Sequence, residues 1–201
     1  NYISLGILCE EMERVDSAYR VVLSVHTALN SLTLMQWATE EQKQRWLVPQ
    51  AQGRKLATFG LTEPGSGTDA VAMATTARKD GDSYVLNGSK LWISLADIAD
   101  HFLVFAATDR TKKHKGITAF VVERGMPGFS VGKRLKKVGM KAQDTSELFF
   151  DNVKLGPEHL LGGKVHENKG FICLMEQLPW ERLQIAISAV ASAQAAIDWT
   201  V

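Results

Sequence analysis

The sequence predicts an α+β protein with several domains, in which helices are followed by a sheet and then by helices again. Two changes in the spacing of apolar residues support this prediction. Apolar residues recur every three or four positions at the beginning, at every second position from Lys55, and every three or four positions again after Gly163. The first spacing is typical of a helix face and the second of a strand. We therefore predict three parts, residues 1–54, 55–163 and 164–201.

The first part has the pattern of helices. Apolar side chains at spacings of three and four between residues 5 and 12 predict an amphipathic helix. Residues 21–29 are apolar on nearly all sides, which predicts a buried helix. Thr39 followed by Gln42 fits a capping box at the start of a short helix, which we expect Pro49 to end.

The middle part consists of short runs rich in β-branched and aromatic residues, separated by turns rich in Gly, Asp and Lys. Regular short strands with turns predict a compact antiparallel β-sandwich or barrel. The predicted strands are residues 56–61, 71–78, 83–86, 102–107, 117–122, 129–131 and 147–150.

The last part again has helical spacing, over residues 171–178 and over residues 181–201. Pro179 lies between these stretches, and we expect one helix to end and another to begin there. The chain lacks an initial Met and stops inside a helical pattern without a stop signal. We therefore expect an internal piece of a longer protein, in which both helical parts are truncated.

Composition excludes several classes of function. The 23 Lys and Arg residues nearly balance the 22 Asp and Glu residues, so no basic surface for nucleic acid is predicted. No apolar run approaches the length of a membrane span, so none is expected. Cys9 and Cys173 lie far apart and form no metal-binding pattern, which favours unreactive thiols in a reducing compartment and no metal site.

The most informative local feature is a glycine-rich loop over residues 59–69, followed by Trp92-Ile93-Ser94. Glycines allow a backbone to approach a ligand closely, and the hydroxyls between them are hydrogen-bond donors and acceptors. The indole of Trp92 can stack on an aromatic ring system. The pair of segments indicates a site for a planar cofactor that carries phosphate.

The same loop formally fits the dinucleotide fingerprint G-x-G-x-x-G/A at residues 65–70. That fingerprint requires a preceding strand and a following helix. Residues 71–79 are instead rich in β-branched residues and lead through a turn at residues 79–82 into another strand, which predicts a hairpin. The context therefore argues against a Rossmann fold.

Residues 61–69 resemble the flavin-binding signature of the acyl-CoA dehydrogenases, and Trp92-Ile93-Ser94 is similar to the second flavin contact of that family. The resemblance extends over essentially the whole chain. It implies a helical N-terminal domain, a central β-domain and a C-terminal helical bundle, with the two helical domains present only in part.

The resemblance also implies the site residues. Thr68 and Arg182 are the expected contacts of an acyl-CoA, although a Thr after a loop glycine is often only a turn residue. Trp92 taken alone would be a core aromatic residue. The residues expected to bind FAD are Phe59, Leu61, Thr62, Gly67, Thr68, Trp92, Ile93 and Ser94.

The chemistry of the family requires a carboxylate to remove the α-proton of the substrate. In most members this glutamate lies far downstream, outside this chain. In the long-chain-like and isovaleryl-like enzymes it directly precedes an arginine on the first long helix of the last domain, and Glu181-Arg182 falls at that position. Glu181 is therefore the candidate base, and the alternatives are a solvated or ion-paired surface carboxylate and a base in the downstream region.

The activity implied by the resemblance is FAD-dependent α,β-dehydrogenation of acyl-CoA thioesters to trans-2-enoyl-CoA. Electrons would pass to an electron-transferring flavoprotein, and the full protein would be a homotetramer or dimer in a bacterial cytoplasm or a mitochondrial matrix. Two alternatives share the fold. One is an oxygen-reactive flavoenzyme, either an acyl-CoA oxidase or a monooxygenase, and the other is a binding or assembly protein without flavin.

Overall fold

The structure is a computed structural model that describes residues 2–201. The helix, sheet and helix order is as predicted. The N-terminal helical part consists of α1 (Tyr2–Val15), α2 (Ser17–Val22), a first π-helical segment (Leu23–Ser31), α3 (Leu32–Trp37), α4 (Glu40–Gln42), a second π-helical segment (Lys43–Leu47) and α5 (Val48–Ala51).

The capping box at α4 is confirmed, because the Thr39 side chain accepts from the Gln42 backbone N–H and the Gln42 side chain accepts from the Thr39 backbone N–H. The end predicted at Pro49 is wrong. The chain changes from π-helical to α-helical hydrogen bonding before Val48, so Pro49 occupies the first turn of α5. Proline is tolerated in a first turn because the N–H that it lacks has no partner there.

The middle part is one sheet, with a strand near each predicted run. The strands are β1 (Ala57–Gly60), β2 (Thr76–Asp80), β3 (Ser83–Ser94), β4 (His101–Ala107), β5 (Ile117–Glu123), β6 (Phe129–Val131) and β7 (Thr145–Leu155). Their order in the sheet is β1-β4-β2-β3-β7-β6, and β5 pairs with β4.

Four of the six strand pairings are antiparallel, including the predicted hairpin of β2 and β3. The two exceptions are the parallel pairings of β4 with β1 and with β2. β3 is much longer than the predicted run, and its pairing with β7 shifts register twice. The shifts are β-bulges, which insert residues that interrupt simple alternation.

Both faces of the sheet are covered. Along β4, Phe102 and Val104 belong to a core cluster that also contains Leu148 of β7. Leu103 and Phe105 belong to a second core cluster. This cluster also includes residues of the helices that precede the sheet in the sequence and of the helix that follows it. β4 and β5 are therefore continuous apolar runs, as expected for strands buried on both faces.

The C-terminal part is one helix, α6 (Gly170–Thr200), which continues through Pro179. The predicted break is therefore wrong. Leu174 before the proline is buried in the second core cluster, and Ala191 and Ala195 after it are also buried. Packing on both sides of Pro179 stabilises a single helix despite the lost hydrogen bond. The division into three domains stays a prediction.

Within residues 2–201, no helix combines the length and the apolar composition that crossing a membrane requires. The same residues contain no group of three or more His, Cys, Asp or Glu side chains placed to bind a metal. Cys9 and Cys173 are buried free thiols. Burial raises the pKa of Cys173 to about 12, which keeps this thiol protonated.

Candidate functional site

A cleft of about 230 Å³ lies between the first π-helical segment and the sheet. It gathers residues from three separate stretches of sequence. Six of them belong to the predicted flavin contacts, and Val25 and Leu29 were missed because the helix that carries them has no recognisable ligand motif. The lining residues are Val25, Leu29, Phe59, Leu61, Thr62, Trp92, Ile93 and Ser94.

Trp92 has an unusual backbone and an exposed side chain. Its φ is +62°, and 59% of the residue is accessible. It lies in the β-bulge between Lys90 and Ile93, where β3 has one residue more than β7. A positive φ is strained for a bulky residue, and such strain clusters at ligand sites. The bulge therefore directs a large flat ring towards the cleft rather than into the core.

The backbone between the loop and β3 is held by hydrogen bonds. Leu91 N–H donates to the carbonyl of Thr62 at 2.8 Å, and the Thr58 hydroxyl donates to the carbonyl of Ser94 at 2.5 Å. The hydroxyls of Thr62 and Ser94 bond to no other group within residues 2–201. They are therefore available to a ligand in the cleft.

The loop after Thr62 is fixed by its own hydrogen bonds. Glu63 and Ser66 exchange both backbone hydrogen bonds, at 2.9 and 3.1 Å, and the Ser66 hydroxyl donates to the carbonyl of Asp69 at 2.8 Å. Gly67 and Thr68 are exposed and do not line the cleft, in contrast to the other predicted flavin contacts.

The backbone conformation of Gly65 and Gly67 in this loop does not itself require glycine. Neither Gly65 nor Gly67 has a positive φ, and a Cβ added at either position would meet nothing within 4 Å. The protein itself therefore has no steric need for glycine at these two positions. Open backbone of this kind suits the close approach of a ligand.

A buried ion pair joins this loop to β3. Lys90 Nζ lies 2.7 Å from Glu63 Oε1, and both side chains are almost inaccessible. The same ammonium group donates to the carbonyl of Leu61 at 3.0 Å, and Glu63 also accepts from the backbone N–H groups of Ala74 and Thr75. The pair connects three segments of backbone around the cleft.

The surroundings of Glu63 explain its ionisation. Burial acts to raise the pKa of Glu63, but the charge and hydrogen bond of Lys90 outweigh it, with help from the donors at residues 74 and 75. The pKa of Glu63 is therefore lowered and the carboxylate stays charged. We did not predict this pair. A signal was present in the sequence, because Lys90 lies four residues after the buried Leu86 and therefore on the same face of β3.

Glu181 lies on α6 and contacts the helix that borders the cleft. Its Oε1 accepts a hydrogen bond of 2.5 Å from the Ser24 hydroxyl. Its Oε2 is buried and has no hydrogen-bond partner among residues 2–201. The Glu181 side chain is thus no solvated surface carboxylate, and among those residues it has no ion pair.

The other predicted polar residues lie apart from the cleft. Arg182 is exposed on α6, as is Glu176, which accepts a hydrogen bond from the Gln36 side chain. Among residues 2–201, the side chains of Arg182 and Thr68 form no hydrogen bond or ion pair with Glu181. Their predicted contact with an acyl-CoA stays a prediction.

Family models match most of the chain. The model of the acyl-CoA dehydrogenase N-terminal domain matches residues 1–54, and that of the acyl-CoA dehydrogenase middle domain matches residues 58–153. The chain belongs to the acyl-CoA dehydrogenase family. The Rossmann alternative is thereby excluded, in agreement with the hairpin that follows the glycine-rich loop.

Individual acyl-CoA dehydrogenases are similar over nearly the whole chain. The short-chain specific acyl-CoA dehydrogenase of Clostridium acetobutylicum is 44% identical over 196 residues, which is 98% of this chain and 51% of that protein. The chain spans about half the length of the curated relatives it matches. The short-chain specificity of these relatives goes against the long-chain-like or isovaleryl-like subgroup predicted from Glu181.

Solved structures of the family show the same fold. The butyryl-CoA dehydrogenase from Megasphaera elsdenii superposes with a TM-score of 0.93 at 41% identity, over 98% of this chain and 51% of that one. A glutaryl-CoA dehydrogenase from Mycobacterium smegmatis, in complex with FADH2, superposes with a TM-score of 0.88 at 34% identity, over 98% of this chain and 49% of that one.

The residues of this chain fit a flavin. The exposed ring of Trp92, the free hydroxyls of Thr62 and Ser94, and the open backbone at Gly65 and Gly67 suit a flat, hydrogen-bonding and phosphate-bearing ligand. The positive φ of Trp92 is strained, and the hydroxyls of Thr62 and Ser94 have no internal partner within residues 2–201, which a structural role alone does not explain.

Proposed function

We propose that the protein to which this chain belongs catalyses the FAD-dependent α,β-dehydrogenation of acyl-CoA thioesters to trans-2-enoyl-CoA. The observation that carries the proposal is the meeting of six of the eight predicted flavin contacts in one cleft, beside the helix that also contacts Glu181. Family membership supports the same reaction. The acyl chain length is left open, and the short-chain specificity of relatives makes butyryl-CoA the first substrate to test.

In this proposal the cleft holds the flavin. Trp92, Thr62 and Ser94 would hold the isoalloxazine ring, and Gly67 and Thr68 would let the phosphate-bearing part approach the loop. Bound FAD supplies an acceptor for the β-hydride of the substrate. The protein contributes binding, orientation and the exclusion of water.

Glu181 is the proposed base. The α-proton of the thioester passes to Oε2, the carboxylate oxygen without a hydrogen-bond partner among the described residues. A base must reach its proton, and Glu181 contacts the helical segment whose neighbouring residues line the cleft. The reaction is balanced, since the α-proton goes to Glu181 and the β-hydride to FAD as the Cα–Cβ double bond forms.

Electrons would then leave through an electron-transferring flavoprotein, and the full protein would be a homo-oligomer. The family resemblance supports both statements. The residues that line the cleft do not identify a docking surface for the electron-transferring flavoprotein or for a second subunit.

The test uses the protein expressed at its full natural length. Butyryl-CoA and longer saturated thioesters are added without oxygen, visible flavin absorbance is followed, and the product is identified by mass spectrometry. We expect the flavin to bleach and an enoyl-CoA two mass units lighter than the substrate to form, as loss of two hydrogens requires. Rapid reoxidation of the reduced protein by oxygen would favour an oxidase or monooxygenase. Absence of bound flavin would favour a non-enzymatic protein.

A further inference from the structure

The hydrogen bond between Ser24 and Glu181 joins residues that are far apart in the sequence. Ser24 lies in the first π-helical segment, is only 1% exposed, and its hydroxyl donates to Glu181 Oε1 at 2.5 Å. A hydroxyl donating to a carboxylate forms a strong, charge-assisted hydrogen bond. It therefore restricts the rotation of the Glu181 carboxylate.

Among residues 2–201, no cation forms an ion pair with Glu181. The arginine of the same helical region, Arg20, is bound to Glu13 at 3.0 Å, and that ion pair is buried. Glu13 also accepts from the hydroxyls of Ser17 and Ser192. Arg20 is thus already paired, and Ser24 is the hydrogen-bond donor to Glu181 among residues 2–201.

The helix that carries Ser24 also borders the cleft. Val25, the next residue, and Leu29 line the cleft, whereas Ser24 faces α6. The segment is π-helical from Leu23 to Ser31. The wider turn changes the angular spacing of successive side chains, and π-helical turns are frequent at functional sites.

We propose that Ser24 is a positioning residue for Glu181. Its hydroxyl occupies Oε1 and leaves Oε2 as the oxygen that accepts the α-proton of an acyl-CoA. This inference rests on the proposed function, because it specifies how the proposed base is held. Neither the flavin signature nor the Glu181-Arg182 pair pointed to Ser24.

The test compares three variants of the full-length protein with bound flavin. Ser24→Ala removes the hydroxyl and Ser24→Thr retains it. Ser31→Ala is the matched control, because Ser31 lies on the same segment and its hydroxyl bonds only to the carbonyl of His26 and to the Gln50 side chain. Flavin content and thermal unfolding of each variant are measured first.

We expect Ser24→Ala to lower the rate of flavin bleaching at saturating butyryl-CoA by about ten- to a hundredfold, because small misplacements of a base are costly. The thioester concentration that gives half the maximal rate should change little, since the hydroxyl does not bind substrate. Ser24→Thr should recover most of the rate, and Ser31→Ala should leave it unchanged.

A second readout is independent of hydride transfer. Acetyl-CoA has an α-proton but no β-carbon, so a base can exchange its α-protons with D2O while no dehydrogenation is possible. Exchange followed by NMR should be slower in Ser24→Ala than in the parent, and close to the parent in Ser24→Thr.

The outcomes separate this inference from the proposed function. Equal bleaching and exchange rates in Ser24→Ala and the parent, with Glu181→Gln inactive, would overturn the role of Ser24 alone. A parent that neither bleaches nor exchanges protons would overturn the proposed function. If Ser24→Ala loses its flavin, Ser24→Cys, which is closer to serine in volume and a weaker donor, replaces it and is expected to show a partial loss.

Discussion

At the scale of single residues, Trp92 departs from the backbone conformation and the burial that a tryptophan usually has. A tryptophan with φ of +62° and 59% exposure is unfavourable on both counts. The resemblance indicated a role for Trp92, but no pattern of spacing could predict its dihedral angle. That angle depends on the bulge, which arises only when β3 pairs with β7.

Gly67 provides a test of ligand approach without strain. Because its φ is not positive and an added Cβ would meet nothing within 4 Å, Gly67→Ala should change the free energy of unfolding by no more than about 0.5 kcal/mol. The methyl group should nevertheless lower the flavin content of the purified protein severalfold. Flavin absorbance and urea unfolding measure the two effects.

Gly139 is the matched control for that experiment. It also has open surroundings and no positive φ, but lies in the segment between β6 and β7. Gly139→Ala should retain full flavin content. Unchanged flavin binding in Gly67→Ala would contradict the role proposed for the loop.

Two histidines, the half-buried His26 and the buried His101, predict how the free energy of unfolding depends on pH. Burial lowers the pKa of His26 and of His101, in the latter case against the charges of Glu123 and Asp100. As pH falls below about 6.5, the unfolded chain takes up protons before the folded one, so stability present above that pH is lost. His26 Nδ1 also accepts from Ala57 N–H at 3.0 Å, a bond that protonation would break.

We expect the free energy of unfolding to fall between pH 7 and 5, with each histidine adding at most about 1.4 kcal/mol per pH unit. His101→Gln should make this dependence less steep. Denaturant titrations at several pH values measure the slopes, and an equal slope in His101→Gln and the parent would contradict the assignment.

At the scale of elements, most of the strands and helices could be predicted from apolar spacing. The failures have specific causes. Pro49 and Pro179 were expected to end helices, but one occupies a first turn and the other lies in a helix packed on both sides. The parallel pairings of β4 were missed because a sequence pattern identifies strands but not their neighbours.

The ion pair of Lys90 and Glu63 connects the loop with β3, and its loss should affect both. Lys90→Met leaves the Glu63 carboxylate buried without a cation, which should cost about 3–5 kcal/mol in the free energy of unfolding. Adding Glu63→Gln should recover part of that loss. Urea unfolding of the single and double variants measures the coupling between the two side chains.

An exposed ion pair gives the comparison. Lys112 and Asp109 lie 3.1 Å apart with Lys112 largely accessible, so Lys112→Met should lower the free energy of unfolding much less than Lys90→Met does. Equal losses in Lys90→Met and Lys112→Met would contradict the structural importance of the buried pair.

At the scale of the whole molecule, the fold class and the family could be predicted, whereas the contacts around Glu181 could not be read from the sequence. Residues around positions 24, 60, 92 and 181 meet at or beside one cleft because the chain passes from helix to sheet to helix. The flavin motif indicated two of these four regions, and Glu181-Arg182 a third. Ser24 could not be found, because a serine in an apolar helix has no distinctive pattern.

The subgroup predicted from Glu181 does not agree with the short-chain specificity of the relatives, yet the surroundings of Glu181 support the proposal that it is the base. A carboxylate with one oxygen held by Ser24 and the other buried without a partner is suited to accept a proton. Chain length and base position are therefore separate questions in this protein.

The most direct test of the account is anaerobic reduction of the full-length protein by butyryl-CoA in two variants of α6. Glu181→Gln removes the proposed base, and Glu176→Gln changes an exposed glutamate of the same helix. We predict that the flavin of the parent and of Glu176→Gln bleaches, while that of Glu181→Gln stays oxidised with thioester bound. Bleaching of Glu181→Gln at the rate of the parent would contradict the account and place the base outside this chain.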